Sequence, residues 1–348
     1  MILDHYAYTG EVNPELLTIP VEVVEFYGNL WGKTKKNETD DTMVFFPTQG
    51  LETWQCPGWP VDPTDCPTND MPTVAGMHAV LEKLLALPDE LASVGQKAAW
   101  RTLKSRVPPL PVINGSHWAC DDCTLGGTGP GSHKLSNGEN VELYAVHPYR
   151  QATIGRGDAA ALKLANAAFD KKLDKSDSGW NQNAMDAALL GRSGDAANFV
   201  VARASTAPAL GYRFPAFAPH EQDYEPSADH FAVFSNALQY MLVQRVDDAV
   251  NDSVLLLPAW PCGWDVKFKV SYPHLILTPN PHQILTQSPP ILATGCRAQE
   301  HHSHRRAHQR RAEVLGHPAE QGERGLGCQV PTASTAAAAA NATSAATR

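Results

Sequence analysis

Nowhere in the 348 residues does a window approach the roughly 20 consecutive apolar side chains that a bilayer-crossing helix needs. A membrane partner is therefore not expected. The opening Met1-Ile2-Leu3-Asp4-His5-Tyr6 carries an acid where a secretory leader has a basic start and an apolar run, so no signal peptide is read there. Clustered cations are also missing. With 28 Lys and Arg against 37 Asp and Glu the formal charge is −9, which argues against a nucleic-acid partner held through its phosphates. The last absence is local: after Tyr272 there is no Phe, Trp or Tyr, and from Ser271 to Arg348 there is no Lys and no Asp.

That last stretch holds seven Arg, four Glu and seven of the 14 His, a charge of +3 that leaves −12 on the first 270 residues. Its pieces are of low complexity: a Pro-rich run from Leu277 to Pro290, then His301-His302-Ser303-His304-Arg305-Arg306, then an Ala tract from Ala336 to Ala340. Such composition buries too little apolar surface to offset chain entropy, so 271–348 is expected to be a disordered tail. The abrupt change of composition is also what a shifted reading frame would produce. The remainder, rich in apolar and aromatic residues, has ample material for a large core.

Cysteine is present in an odd and moderate number, seven. Cys56 and Cys66 bracket a loop rich in Pro and Asp, and Cys120-Asp121-Asp122-Cys123 is a CxxC with His117 and His133 nearby. A zinc site would need a second ligand pair that the sequence does not offer, so loop disulfides or free thiols are expected and no metal is assigned. Four Asn-x-Ser/Thr sequons, at Asn37, Asn114, Asn251 and Asn341, lean toward a secretory or extracellular location for the complete protein.

Before Val254 the dominant pattern is helical. A stub over Met1–Tyr8 precedes Asn13–Trp31, whose apolar residues occupy two adjoining stripes of period 3.6 and predict a well-buried helix. Thr73–Leu87 is stopped by Pro88, after which Asp89 is placed to cap a helix running to Arg106. Further helices are expected over Asp158–Leu173, Asn181–Leu190, Asp195–Thr206 and Asp229–Gln244. Eight helices result, separated by long loops at 33–71, 107–157 and 207–228, where functional residues tend to collect. Val254–Leu257 then reads as a buried strand and Val266–Val270 as a half-exposed one, so a short β element over 252–270 closes the folded part.

Three segments, in this order, resemble the catalytic (α/α)6 six-hairpin barrel of glycoside hydrolase family 95, inverting exo-glycosidases typified by α-L-fucosidases. The first is Tyr8-Thr9-Gly10, then the Leu16–Trp31 helix, then Phe46-Pro47-Thr48-Gln49-Gly50-Leu51-Glu52, similar to the family's hairpin leading into its Pro-Ser-x-Ser-Pro-Glu loop. The second is Gly179-Trp180 with the helix end over Met185–Gly194. The third runs from Asp229 through Met241 and Gln244 to Leu255-Leu256-Leu257-Pro258-Ala259-Trp260-Pro261, matching the family's Asp-led helix start and its Leu-Leu-Pro-Ala strand without a gap. The resemblance covers roughly residues 1–270 and implies a mainly α fold with 1–251 as barrel. It implies Glu52 as general acid and Asp229 as general base.

Departures from the pattern also carry information. Asp229-His230-Phe231-Ala232 stands for the family's Asp-Gly-Asn-Phe, and Asn137-Gly138-Glu139-Asn140-Val141-Glu142-Leu143-Tyr144 stands for a His-rich stretch, so the groups that contact fucose are replaced. The resemblance thus implies the reaction and leaves the sugar and anomer open. The family's paired asparagines, which position the nucleophilic water, lie upstream of the first hairpin, and that hairpin begins here at residue 1. The chain is accordingly read as the later two-thirds of a barrel, truncated at its N-terminal side. As it stands it is expected to be inactive or nearly so, and a version extended upstream to be active.

Inverting hydrolysis needs one carboxylic acid to protonate the leaving oxygen and one carboxylate to activate water from the opposite face. Glu52, between Leu51 and Trp54, has the apolar setting that raises a carboxyl toward neutral pH. A turn-capping role is its bland alternative. Asp229, at a helix start, equally suits a plain N-cap. Glu139, Glu142, Asp223 and Glu225 are further loop acids that would contact sugar hydroxyls or take over the base role, against a reading as solvated acids. Trp54, Trp59, Trp180 and Tyr224 are candidates to stack on a pyranose, with core packing the stronger reading for Trp180. His147 and His230 are candidate hydroxyl ligands whose default is a structural histidine. No cofactor is implied, since two carboxyls and water suffice. The alternatives to a hydrolase acting on a carbohydrate substrate are a catalytically dead fragment or sugar-binding remnant, and, last, a polysaccharide lyase, for which the loops lack a basic cluster.

Overall fold

A computed structural model describes residues 1–36, 39–51, 53–56, 66–123, 139–156, 158–176, 180–205, 228–247, 252–268 and 291–293. The chain divides into Met1–Arg297 and Ala298–Arg348, the second lying outside the described residues. The first is mainly α-helical, with eight α-helices and a few short strands among the described residues. No helix there is long and apolar enough to cross a membrane.

Local signals account for most helix ends. Helix α1 (Ile2–Thr9) stops at Gly10, which is left-handed at φ 74°. A 3₁₀ turn over Pro14–Leu17, whose Glu15 N–H donates to Asn13 Oδ1 at 3.0 Å, runs into α2 (Thr18–Trp31). Helix α3 (Met71–Leu85) is capped by Asp70, whose carboxylate accepts from Thr73 N–H at 3.0 Å. Helix α4 (Val94–Arg106) begins four residues after the expected start, because Ser93 and Gln96 form a reciprocal capping box there. Asp89 instead pairs with Lys97 at 2.6 Å. Ser93→Ala is expected to lower stability by about 1 kcal/mol, read from a denaturant midpoint shift at unchanged slope.

The helices pack into two apolar clusters that share α3. On one side Val74, Met77, Leu81 and Leu84 of α3 meet Leu3, Leu17, Val24, Trp31 and Trp100. Toward the other side Met71 and Ala75 join Leu143, Val146, Met185, Leu189 and Met241. Gly28 lets α2 approach α4, since a Cβ there would lie 3.1 Å from Leu103 Cδ1. The expectation that the Asn13–Trp31 helix is well buried is corrected. Leu17, Pro20, Val24 and Trp31 are buried, but Leu16, Ile19, Val23, Phe26 and Leu30 are exposed, because α3 and α4 cover α2 from one side.

Inside the long 107–157 loop a hairpin of β1 (Val112–Ile113) and β2 (Ser116–His117) turns at Asn114 and Gly115, with φ of 53° and 72°. Asn-Gly is the commonest signal for such a turn, and its place in the sequon over Asn114 obscured it. A 3₁₀ turn over Val141–Leu143 leads to α5 (Ala159–Lys171), capped by Asp158 through Ala161 N–H at 2.9 Å. Helix α6 (Asn183–Leu189) is buried along its whole length against α7 (Ser193–Ser205) and α8 (Ala228–Leu242).

The β element differs from expectation in two respects. The chain leaves α8 at Leu242 and pairs at once as β3 (Val243–Asp247) with β4 (Asp252–Leu256), antiparallel, Val243 opposite Leu256. The helical period of Asp229–Gln244 ran two residues too far, since β-branched Val243 and the facing strand supply a sheet partner that periodicity does not register. The anticipated strand at Val266–Val270 does not form over its described part, Val266–Phe268. A third strand, β5 (Ile291–Ala293), pairs parallel with β4, so the disordered reading of 271–348 does not extend to these three residues. The rest of that tail lies outside the described residues.

Candidate functional site

Glu52 itself is outside the described residues, but the chain around it is defined. Gly50 and Trp54 form an antiparallel bridge, with N···O distances of 2.8 and 3.0 Å. Asp70, the N-cap of α3, is also hydrogen-bonded from Thr48, and burial raises its carboxyl to about 6 against those bonds. The loop leading to Glu52 is therefore anchored on the N-terminus of α3. On its far side Thr53 Oγ1 donates to the carbonyl of Glu139 at 3.5 Å.

From Glu139 a series of hydrogen bonds runs toward Asp229. Asn140 Nδ2 donates to Asn183 Oδ1 at 3.0 Å, and Asn183 N–H donates to Asn181 Oδ1 at 2.8 Å. Arg203, near the end of α7, donates to the carbonyls of Asn181 at 3.3 Å and His230 at 3.2 Å. These bonds gather the start of α6, the end of α7 and the start of α8 beside the 139–144 segment. Asp229 sits in the first turn of α8 with its side chain exposed.

The aromatic candidates separate clearly. Trp180 is 40% exposed, so the core-packing reading is corrected; its indole meets the His230 ring edge-on at 5.5 Å. That places an accessible aromatic face one residue from Asp229. Trp54 is corrected in the opposite direction. At 1% exposure it is packed with Ala119, Cys120, Cys123 and Val141 and edge-on to Trp118 at 6.0 Å, which leaves no ring face for a sugar. His230 is buried as well, and His147, half-buried near Tyr240, is pushed down to about 4 by burial and then by Arg150. His147 is therefore neutral at physiological pH. Trp59, Asp223, Tyr224 and Glu225 lie outside the described residues.

Glu142 is not the solvated loop acid of one reading. It is buried, and desolvation raises its carboxyl to about 7 against the attraction of Lys172. Beside it stands Asp186 of α6, which the sequence reading overlooked. Burial first, then the neighbouring Glu142, raises its carboxyl well above the usual range, while Lys172 opposes the shift. Asp186 Oδ1 has no hydrogen-bond partner among the described residues. Lys172 holds its ammonium 3.4 Å from the Phe169 ring centroid and donates to Phe169 O at 3.1 Å, and burial lowers it to about 8. Tyr144, raised by burial and by Glu139, connects this group to the half-buried Glu139.

A carboxyl poised near 7 has the right acidity for proton transfer at neutral pH, but a buried one does not reach a ligand. The interior pair Glu142 and Asp186 is thus an electrostatic feature beneath the 139–144 segment. Among the described candidates, the exposed chemistry is that of Asp229 and Trp180. No alternation of residues distinguishes Asp186 from a solvent-facing acid, because α6 is buried on every face and has no polar side to compare.

The cysteines among the described residues are in disulfides. Cys56 pairs with Cys66, and Cys120 with Cys123; Cys262 is also disulfide-bonded. Cys120, Asp122 and Cys123 cluster closely enough for a metal, but both thiols are consumed by their own bridge. No protein-family profile matches the chain, and no curated protein is significantly similar to it.

Proposed function

We propose that this chain is a carbohydrate-active protein of the six-hairpin type, an exo-acting inverting glycoside hydrolase with Glu52 as general acid and Asp229 as general base. On this reading α1–α8 are eight of the twelve helices of an (α/α)6 barrel, and the loops at the starts of α3, α6 and α8 line its sugar-facing end. The observation that carries the proposal is the hydrogen-bonded series from Thr53 through Asn140, Asn183 and Arg203 to His230, which ties the neighbours of the two acids together. The order and spacing of the segments that resemble family 95 add independent support.

In the proposed reaction the carboxyl of Glu52 gives its proton to the glycosidic oxygen as the bond to the anomeric carbon breaks. Asp229 takes a proton from a water that attacks the opposite face, so the released sugar has inverted configuration. The exposed carboxylate in the first turn of α8 suits a base that must reach water. Trp180 supplies a flat apolar surface for the non-reacting face of the pyranose.

The test is hydrolysis of a panel of aryl glycosides by a version extended upstream to complete the barrel, with the anomer of the first-formed product read by proton NMR. Inversion that depends on Glu52 and Asp229 supports the assignment; retention, or an unsaturated product, overturns it. The exposed Trp180 favours a second reading, sugar binding without turnover. There, indole fluorescence would respond to monosaccharides and the response would vanish in Trp180→Ala. Neither turnover nor a Trp180-dependent response would sink both readings.

A further inference from the structure

We propose that Asn114 is an N-glycosylation site, filled while the chain is still open and displayed at the tip of the β1–β2 hairpin once that closes. Asn114-Gly115-Ser116 meets the Asn-x-Ser/Thr requirement, and of the four such sequons it is the one inside the described residues. A sequon carries little by itself; the geometry of the turn distinguishes this one. Asn114 is exposed and left-handed at φ 53°, and its side-chain amide has no hydrogen-bond partner among the described residues. A Cβ on Gly115 would meet nothing within 4 Å, so the space beyond the turn is open. The backbone below the tip is fixed, since Lys171 Nζ donates to the Asn114 carbonyl at 3.0 Å and Ile113 pairs with Ser116. A bulky, hydrated sugar on Nδ2 therefore displaces no packed side chain.

The third residue of the sequon sets the order of events. The motif demands a hydroxyl two residues after the Asn, so a transferase must reach both side chains. Ser116 is 1% exposed, its Oγ donates to the Ile113 carbonyl at 3.2 Å, and β2 lies against α5. In the closed hairpin the amide is accessible and the hydroxyl is not. The folded protein is thus a poor acceptor, and the sugar is attached before β2 packs. The donor class is an oligosaccharide carried on a polyprenyl diphosphate. Nδ2 forms a bond to the anomeric carbon and loses one proton, while the bond from that carbon to the diphosphate oxygen breaks and the lipid diphosphate leaves with the electron pair. No oxidant or reductant takes part. Such transfer belongs to the secretory route, where the bridges Cys56–Cys66 and Cys120–Cys123 would also form.

The experiment translates the full 348-residue chain behind a cleavable leader in the presence of microsomes. Enzymatic release of the glycans in heavy-oxygen water then leaves a labelled aspartate at each occupied position, read by mass spectrometry. A label at position 114 is expected. It should vanish in Asn114→Asp, which tolerates the left-handed turn, and in Ser116→Ala, which leaves the Asn in place, and it should persist in Ser116→Thr. Folded, unmodified protein given detergent-solubilised membranes and the lipid-linked donor should gain no label. The same protein should become an acceptor once it is reduced and alkylated in denaturant, so that buried Cys120 cannot repack. Absence of the label from chains whose leader has been removed, or a label that survives Ser116→Ala, overturns the site. Equal labelling of the folded and the opened protein overturns the order of events.

Discussion

In a version extended upstream to complete the barrel, Asp229→Asn is expected to depress hydrolysis by about 10²–10⁴-fold on every aryl glycoside, whatever the leaving group. The base acts on water, and its removal is felt whether or not the departing oxygen needs a proton. Glu52→Gln should behave differently. Phenols of low pKa leave without protonation, so the loss should be small for activated substrates and approach the same range for poor leaving groups. The contrast between the two variants, and not the size of either loss, identifies the roles. Both are near-isosteric, and Asp229 is exposed in the first turn of α8, where loss of the charge costs roughly 0.3–1 kcal/mol through the helix dipole. Thermal unfolding close to that of the parent is the control. An Asp229→Asn protein with undiminished, leaving-group-independent turnover would move the base to Asp223, Glu225 or Glu139.

The second large effect concerns stability and its pH dependence. Because burial raises Glu142 from 4.5 to about 7, the folded chain holds a proton that the unfolded chain has released between those values. Stability therefore falls as pH rises from about 4.5 through about 7, by up to about 3 kcal/mol from this group, and is restored on acidification. Asp186, raised in the same direction, continues the trend. Glu142→Gln keeps the shape and cannot ionise, so it should match the parent at pH 4.5 and exceed it at pH 8. Asp186→Asn should do likewise. Urea unfolding at the two pH values measures this directly. A Glu142→Gln protein less stable than the parent at pH 8 would mean that the carboxylate is ionised and paired there. If the same variant also keeps its turnover, Glu142 is not a sugar contact.

Helix positions were legible in the residues themselves because their causes are local. Asp158 caps α5, Gly10 ends α1, and Pro88 closes the region of α3, each acting within a few residues of itself. The Asn114-Gly115 turn has an equally local cause, left-handed backbone at Asn-Gly, but is missed when Asn114 is read only as part of a sequon. The exchange of helix for strand at Val243 was not, because residues 252–256, nine positions on, supply the competing hydrogen bonds.

Exposure was decided by tertiary structure throughout. Trp54 and Trp180 have the same side chain and similar loop settings in sequence, yet one is enclosed by Val141 and the Cys120–Cys123 segment while the other faces solvent next to Asp229. Glu142 and Asp229 are both carboxyls, one raised to about 7 by the removal of water, the other in solvent at a helix start. Composition and periodicity determined that this chain would be helical and where its helices would lie. What each polar or aromatic group can do depended on which distant segments fold over it, since desolvation is a property of the surroundings and not of the residue.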